Sequence, residues 1–332
     1  MTISFVLVTS AYAQSENWDY IVTGTEHYYG LGTGATQEEA SNVALANMMQ
    51  NIVVNVHSDF SMLADETNTN GTLDSKTKVM NCIKTYSQGT FTNVGTQMKK
   101  GKGKNEPPFT VLRYMPHSEL QKVFNGRIEA ARNYIRIADE AIDRRKVDMA
   151  LQYYYWAYSL VRSLQYPYEA KDDEGKVIVT EVPVKIREVL EKIEVRYESQ
   201  DGAYINLLFY YDGVPASCLD FSYNDGESQI EDCKAQDGRG CLEMVSGYED
   251  SEVFHVSINY EYISQARGDA EMSSVLAVVP KQVFKEASHK VVRGGSGLPA
   301  DRKQELDEPK RVAVDKNVME LDQPLDIDKA QQ

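Results

Sequence analysis

The residues with which this 332-residue chain could do chemistry are five histidines, four cysteines and fifty carboxylates, and their spacing favours no reaction. His27, His57, His117, His255 and His289 are scattered. They form no H-E-x-x-H string, and no pair at i, i+4 from which one helix face could hold zinc. No G-x-S-x-G elbow exposes a serine. Triads are defined by geometry rather than by order along the chain, so an exported hydrolase with a site assembled from distant residues stands as the alternative function. On spacing alone no residue is assigned as catalytic, cofactor-binding or metal-ligating, and no cofactor is expected.

One motif does suggest a cofactor. Tyr20 to Tyr29 alternate loosely in polarity, as in a strand with one wet face, and Gly30-Leu31-Gly32-Thr33-Gly34-Ala35 follows. Read as G-x-G-x-x-A between a strand and a helix, with Asp59 beyond, it has the outline of a dinucleotide fingerprint. The strand lacks the continuous apolar run of a buried parallel sheet, and no second βαβ unit follows. The simpler reading is that the glycines let the chain turn tightly into a helix whose start is written as Thr36-Gln37-Glu38-Glu39. In that capping box the threonine hydroxyl accepts from the Glu39 amide and the Glu39 carboxylate reaches back to the Thr36 amide, worth about 1 kcal/mol. Ala40, Val43, Ala44, Met48 and Ile52 then give the helix one apolar face for a sheet.

Charge is distributed unevenly. The formal net charge is -15, which opposes binding to phosphate backbones and makes nucleic acid an unexpected partner. Between Glu198 and Met272 there are sixteen Asp and Glu against three Lys and Arg, a balance of -13. Carboxylates and loop carbonyls are the hard ligands calcium prefers, but no D-x-D-x-D-G loop occurs. Solubility and repulsion of anionic surfaces account for the same count. Lys99-Lys100-Gly101-Lys102-Gly103-Lys104 puts four lysines on a hairpin tip; gripping anionic lipid or polysaccharide is one use, and a solvated turn the plainer one. Cys233 and Cys241 flank the Asp237-Gly238 turn, so a disulfide between them, closing a loop worth about 2.5 kcal/mol, is weighed equally with two free thiols. Their spacing does not match paired C-x-x-C zinc knuckles.

The elements that must position these residues begin with an export signal. Ile3 to Val8 is apolar and Ala11-Tyr12-Ala13 places small residues for cleavage, so residues 1–13 read as a signal peptide with Gln14 as the mature start, although a basic n-region is missing. The first cysteine is Cys82, so the mature protein, if exported there, is expected to carry no lipid anchor. No apolar run approaches the roughly eighteen residues of a membrane helix. After the capped helix, Asp65 to Asp74 reads as a polar loop, Asp74 to Thr85 as a second helix, and Thr90 to Met98 and Phe109 to Met115 as paired strands.

That order of glycine-rich turn, T-x-E-E-A, alanine-rich helix passing into Val54-Asn55-Val56-His57-Ser58, and strand pair resembles the LPP-twenty family of envelope lipoproteins over residues 18–118. The opening domain of the flagellar protein FlgT is similar. The resemblance implies an α+β domain, an antiparallel sheet packed by helices, exported to the cell envelope and acting by binding or assembly, with no catalytic residues to carry over.

Beyond residue 118 the period changes to 3.6. Leu120, Val123, Ile128, Ala131, Ile135, Ala138 and Ile142 mark one helix ending near Arg144-Arg145. Val147 to Ser163 is a second, holding Tyr153-Tyr154-Tyr155-Trp156-Ala157-Tyr158, too many aromatics for one face. The hairpin resembles a single tetratricopeptide unit; it reads as a covered spacer, with a sugar-stacking platform as the functional alternative. Asp172-Asp173-Glu174-Gly175 is a loop, and a connecting helix begins near Pro183 and runs to Val195. From Tyr204, short strands separated by Asp212-Gly213, Asn224-Asp225-Gly226 and Asp237-Gly238 suggest an acidic sandwich, immunoglobulin-like in outline. Asp269 to Val279 is one more short helix, and residues 294–332 a disordered tail.

The expected architecture is α+β and multidomain: 18–118 as above, a helical hairpin and connecting helix over 119–196, and an acidic all-β sandwich over 198–280. The expected function is that of a non-enzymatic periplasmic or extracellular protein that binds an envelope protein or glycan. Sequence does not set its oligomeric state.

Overall fold

The computed structural model describes residues 17–52, 91, 93–103 and 106–294. The proposed signal peptide, the loop and helix expected over 65–85, Cys82, His57, Asp59, Lys104 and the tail beyond 294 lie outside these residues.

The chain enters through α1 (Trp18–Thr23), capped by the Asn17 side chain, and β1 (His27–Gly34). It continues into α2 (Gln37–Ile52), β2 (Gly95–Lys100) and β3 (Phe109–Pro116). The strands form an antiparallel sheet in the order β1-β3-β2. The start of α2 matches the sequence in one half of its capping box: the Glu39 amide donates to Thr36 Oγ1 at 3.1 Å. The other half moves back one residue, since the Glu39 carboxylate accepts from the Ala35 amide at 2.8 Å. Further along α2, Asn47 and Asn51 donate to the carbonyls of Leu31 and Tyr29 at 2.7 and 3.0 Å. Main-chain groups of an outer strand are thereby occupied, which blunts its edge.

Three helices follow. In α3 (His117–Asp143), Leu120, Phe124, Arg127, Ala131, Ile135, Ala138 and Ala141 are buried at helical spacing. α4 (Val147–Arg162) is buried nearly all round from Tyr154 to Val161, as its aromatic sequence requires. α5 (Ile178–Glu191) starts one turn earlier than the sequence indicates and takes Pro183 inside it. Ile178 and Val179 are buried, and their burial offsets the hydrogen bond that proline cannot donate. The Asp172 carboxylate organises the turn before it, accepting from the amides of Glu174 and Lys176 at 3.0 and 2.8 Å.

The second sheet is antiparallel and acidic. It contains β4 (Ile193–Asp201), β5 (Tyr204–Tyr211), β6 (Val214–Pro215), β7 (Cys218–Asn224), β8 (Gln229–Gln236), β9 (Arg239–Glu243), β10 (Val253–Ile258) and β11 (Ser288–Val292). The strand path is β11-β10-β7-β8-β9-β5-β4, with β6 beside β5. Its two ends, β4 and β11, come alongside each other, so the sheet curls into a near-barrel in place of the two stacked layers of the expected sandwich. Across this seam the Arg293 guanidinium donates to Gln200 Oε1, and Gln200 Nε2 donates to the Glu249 carbonyl at 3.1 Å. The turns are those the sequence announces: Asp212-Gly213 and Asp237-Gly238 have positive φ at both residues, as a two-residue hairpin demands. α6 (Ala270–Leu276) is capped by Asp269, which accepts from the Met272 amide at 2.9 Å.

One hydrophobic core runs through these elements, from Met48 and Met115 near the first sheet, through α3, α4 and α5, to Phe209, Phe221 and Val291 in the second. The described residues through Gly294 belong to one compact unit.

Candidate functional site

The glycine motif is a packing device. Gly30, Gly32 and Gly34 alternate along β1 and so share one face of its sheet. α2 lies on that face so closely that an added Cβ at Gly30 would meet Ala44 O and Met48 N at 2.2 Å, and one at Gly32 would meet Ala40 O at 2.1 Å. The space that a pyrophosphate would need over these glycines is filled by helix backbone. Arg113 on β3 reinforces the contact, donating from Nη2 to Ser41 Oγ at 2.8 Å.

The α4 aromatics are engaged in the same way. Tyr158 OH donates to Gln282 Oε1 at 3.1 Å, Tyr260 OH to the Gln282 carbonyl at 2.8 Å, and the Gln282 amide to Tyr155 OH at 3.4 Å. Trp156 Nε1 donates to the Glu261 carbonyl at 3.0 Å. Tyr154 OH donates to Asp139, which also accepts from Lys185 Nζ at 2.6 Å and so joins α3, α4 and α5. Tyr134, Tyr153 and Trp156 touch one another with ring centroids 5.3, 6.0 and 5.8 Å apart. Rings at that separation fill the space between them and leave no slot for a ligand. Burial pushes the Tyr134 and Tyr260 phenols up to about 12, and raises Tyr154 and Tyr155 as well.

The remaining sequence candidates do not converge. Lys99 and Lys100 belong to β2, with Lys99 Nζ 4.1 Å from the Trp18 ring centroid and Lys100 Nζ 5.9 Å from that of Phe109. His27 lies edge-on to Tyr20 and Tyr114, and His117 is 4.1 Å from the Tyr28 ring. His255 is exposed, and burial lowers the His289 pKa. Cys218, Cys233 and Cys241 are free thiols, so the 233–241 disulfide is not formed. The reason is the strand period: Cys233 packs against the core, whereas Cys241 alternates with fully buried Leu242 and therefore faces the other side of the sheet. Among the described residues no three His, Cys, Asp or Glu side chains converge closely enough to hold a metal ion.

One cluster does form, and no spacing in the sequence announces it. Asp148 in the first turn of α4, Asp220 and Cys218 on β7, and Tyr262 after β10 are within electrostatic reach of one another where α4 packs against β7. Asp220 is only 5% exposed and accepts from Gln265 Nε2 at 3.1 Å. Tyr262 is 3% exposed and has a positive φ of 51°, a strained state for a bulky residue. Its hydroxyl has no hydrogen-bond partner among the described residues; the Asp220 amide lies beside it outside bonding geometry. Burial, and then the charge of Asp220, raise the Asp148 carboxyl pKa; burial raises Asp220 also, with Lys234 opposite it on β8 and the bond from Gln265 working the other way. Burial and the two aspartates push the Cys218 thiol up to about 11, so it is a poor nucleophile near neutral pH. The only early signs were an aspartate at a helix start and one in a strand.

No family model, no curated protein and no solved structure matches the chain.

Proposed function

We propose that this chain is a non-enzymatic, exported component of the cell envelope that works by binding or assembly, presenting its surface to a partner protein or glycan. The observation that supports this reading is the division of its tyrosines. Those of α4 hold the protein together, whereas Tyr166 and Tyr168, on either side of Pro167, are 61% and 66% exposed. Tyrosine contributes large, rigid, amphipathic contact area at small entropic cost and is enriched where proteins meet partners. The LPP-twenty-like reading of residues 18–118 belongs to the same proposal and draws on the glycine-rich strand, the capped helix and the strand pair. Residues 198–280, most of the curled acidic sheet, supply an anionic surface that discourages phosphate-rich partners.

The test is fractionation of cells carrying tagged protein, followed by affinity capture from the envelope fraction with the wild type and with the Tyr166→Ala/Tyr168→Ala variant. A partner retained by the first and lost by the second supports the reading. Recovery from cytosol with residues 1–13 attached argues against it.

The second reading, an exported hydrolase, draws on the Asp148, Asp220 and Tyr262 cluster, since acid–base work uses carboxylates with raised pKa values. Turnover of a glycoside or ester that disappears in Asp220→Asn would favour it.

A further inference from the structure

We propose that His289 makes the closure of the curled sheet sensitive to acid: a proton added to its imidazole loosens β11 and opens the seam between β11 and β4. The seam is the weak line of this sheet. Every neighbouring pair along the path from β11 to β4 is antiparallel, and seven strands so arranged bring β11 and β4 together running the same way. No ladder joins these two among the described residues, since β11 pairs with β10 and β4 with β5. Side chains span the gap at one end, where Arg293 donates to Gln200 and is held in turn by Asp250 at 3.3 Å. β11 is thus five residues long with a ladder on one side only, and an element so lightly held opens at small free-energy cost.

His289 faces the inside of the sheet. It lies opposite Val256, as Val291 lies opposite Phe254, and those three apolar residues are buried. The alternate pair, Lys290 and His255, is exposed on the other face. His289 Nε2 is itself buried and has no hydrogen-bond partner among the described residues. A charged imidazole carries hydrogen on both nitrogens, so protonation would bury a charge together with an Nε2–H that nothing accepts.

The charged groups on the elements around it are engaged elsewhere. Across the seam on β4, Arg196 bonds Glu194, and Glu198 pairs with Arg239 at 3.4 Å. In the turn before β11, Glu286 pairs with Arg187 of α5 at 3.6 Å, and Lys285 is exposed. Glu191 and Lys192, where α5 gives way to β4, and Glu252 before β10 are exposed too. None of these charges moves the imidazole; burial alone lowers its pKa.

The sign follows from linkage. The folded pKa lies below the unfolded 6.5, so the stability contributed by the neutral ring is fully present above 6.5 and is lost as pH falls from there through the folded value. β11 responds first, because the strand that carries the ring is the one with least support.

The test is hydrogen exchange of the full chain, read by mass spectrometry on peptides from β11 and α4 at about pH 7.5 and about pH 5 and corrected for the intrinsic pH dependence of exchange. The wild type, His289→Gln and His255→Gln are compared. Protection of β11 is expected to fall by about tenfold at the lower pH in the wild type and in His255→Gln, and to hold steady in His289→Gln, with α4 unchanged in all three. If His289→Gln does not fold, NMR titration of the wild-type imidazole decides: the ring must titrate below 6.5 and in step with the loss of β11 protection. Titration at or above that value, a pH response retained in His289→Gln, or a loss of protection spread evenly over α4 and β11 would overturn the proposal.

Discussion

Gly32 and Gly126 show how one residue type answers to two different surroundings. At Gly32 a methyl group would strike the α2 backbone at 2.1 Å, and neither helix nor strand can move without losing the core beneath. Gly32→Ala is expected to lower stability by about 1–3 kcal/mol, measured by denaturant unfolding. Gly126 lies within α3 with nothing within 4 Å of a built Cβ, so Gly126→Ala is expected to add about 0.5–1 kcal/mol. If the two changes have the same sign, the packing account of the G-x-G-x-G stretch fails. The thiols give a second expectation at this scale. Burial pushes Cys218 and Cys233 up to about 11, so near pH 8 their thiolate fraction is roughly a hundredfold below that of an ordinary thiol. Alkylation followed by mass spectrometry should label them slowly in the native protein and quickly once it is unfolded.

Among the elements, α4 does the most binding together, because its hydroxyls and its indole reach segments far away in the chain. Replacing Tyr158 by Phe removes the bond to Gln282 Oε1 and is expected to lower stability by about 0.5–1.5 kcal/mol. The raised phenols of Tyr134, Tyr223 and Tyr260, each about 12, give a pH dependence. Their folded pKa lies above the unfolded 10.0, so the unfolded chain releases protons first and stability falls as pH rises from about 10 toward 12. The phenolate absorbance contributed by these three, read as the difference from their Tyr→Phe variants, should therefore appear together with alkaline unfolding; its appearance while the protein is still folded would show these tyrosines to be exposed. The long helices α2, α3 and α4 were legible in the sequence because a 3.6-residue apolar period over many turns has few competing readings; α1 was not, since Tyr20–Thr23 falls in a stretch that alternates like a strand and the helix is only six residues long. The hairpins were legible because Asp-Gly turns demand positive φ. β4 was not: Ile193 and Val195 continue the apolar spacing of α5, and only contact with β5 makes them a strand. β11 is five residues long and owes its state to β10. The Asp148, Asp220 and Tyr262 cluster was hidden for the same reason, since its members come together only when α4 is laid across the sheet.

At the scale of the molecule, a core that passes from the first sheet through three helices into the near-barrel couples regions that composition alone divides into separate domains. Unfolding followed by far-ultraviolet circular dichroism and by the fluorescence of Trp18 and Trp156 should give one coincident transition; two midpoints would mean that the regions fold independently. In that body the aromatic side chains of α4 and the glycines of β1 serve packing, and exposed tyrosines and carboxylates are what a partner would meet. The most direct measurement is capture from the envelope fraction with wild-type protein and with Tyr166→Ala/Tyr168→Ala side by side. The account expects one protein or glycan to be retained by the first and lost by the second, with both equally folded. Equal retention by the two, or catalytic turnover abolished by Asp220→Asn, would contradict it.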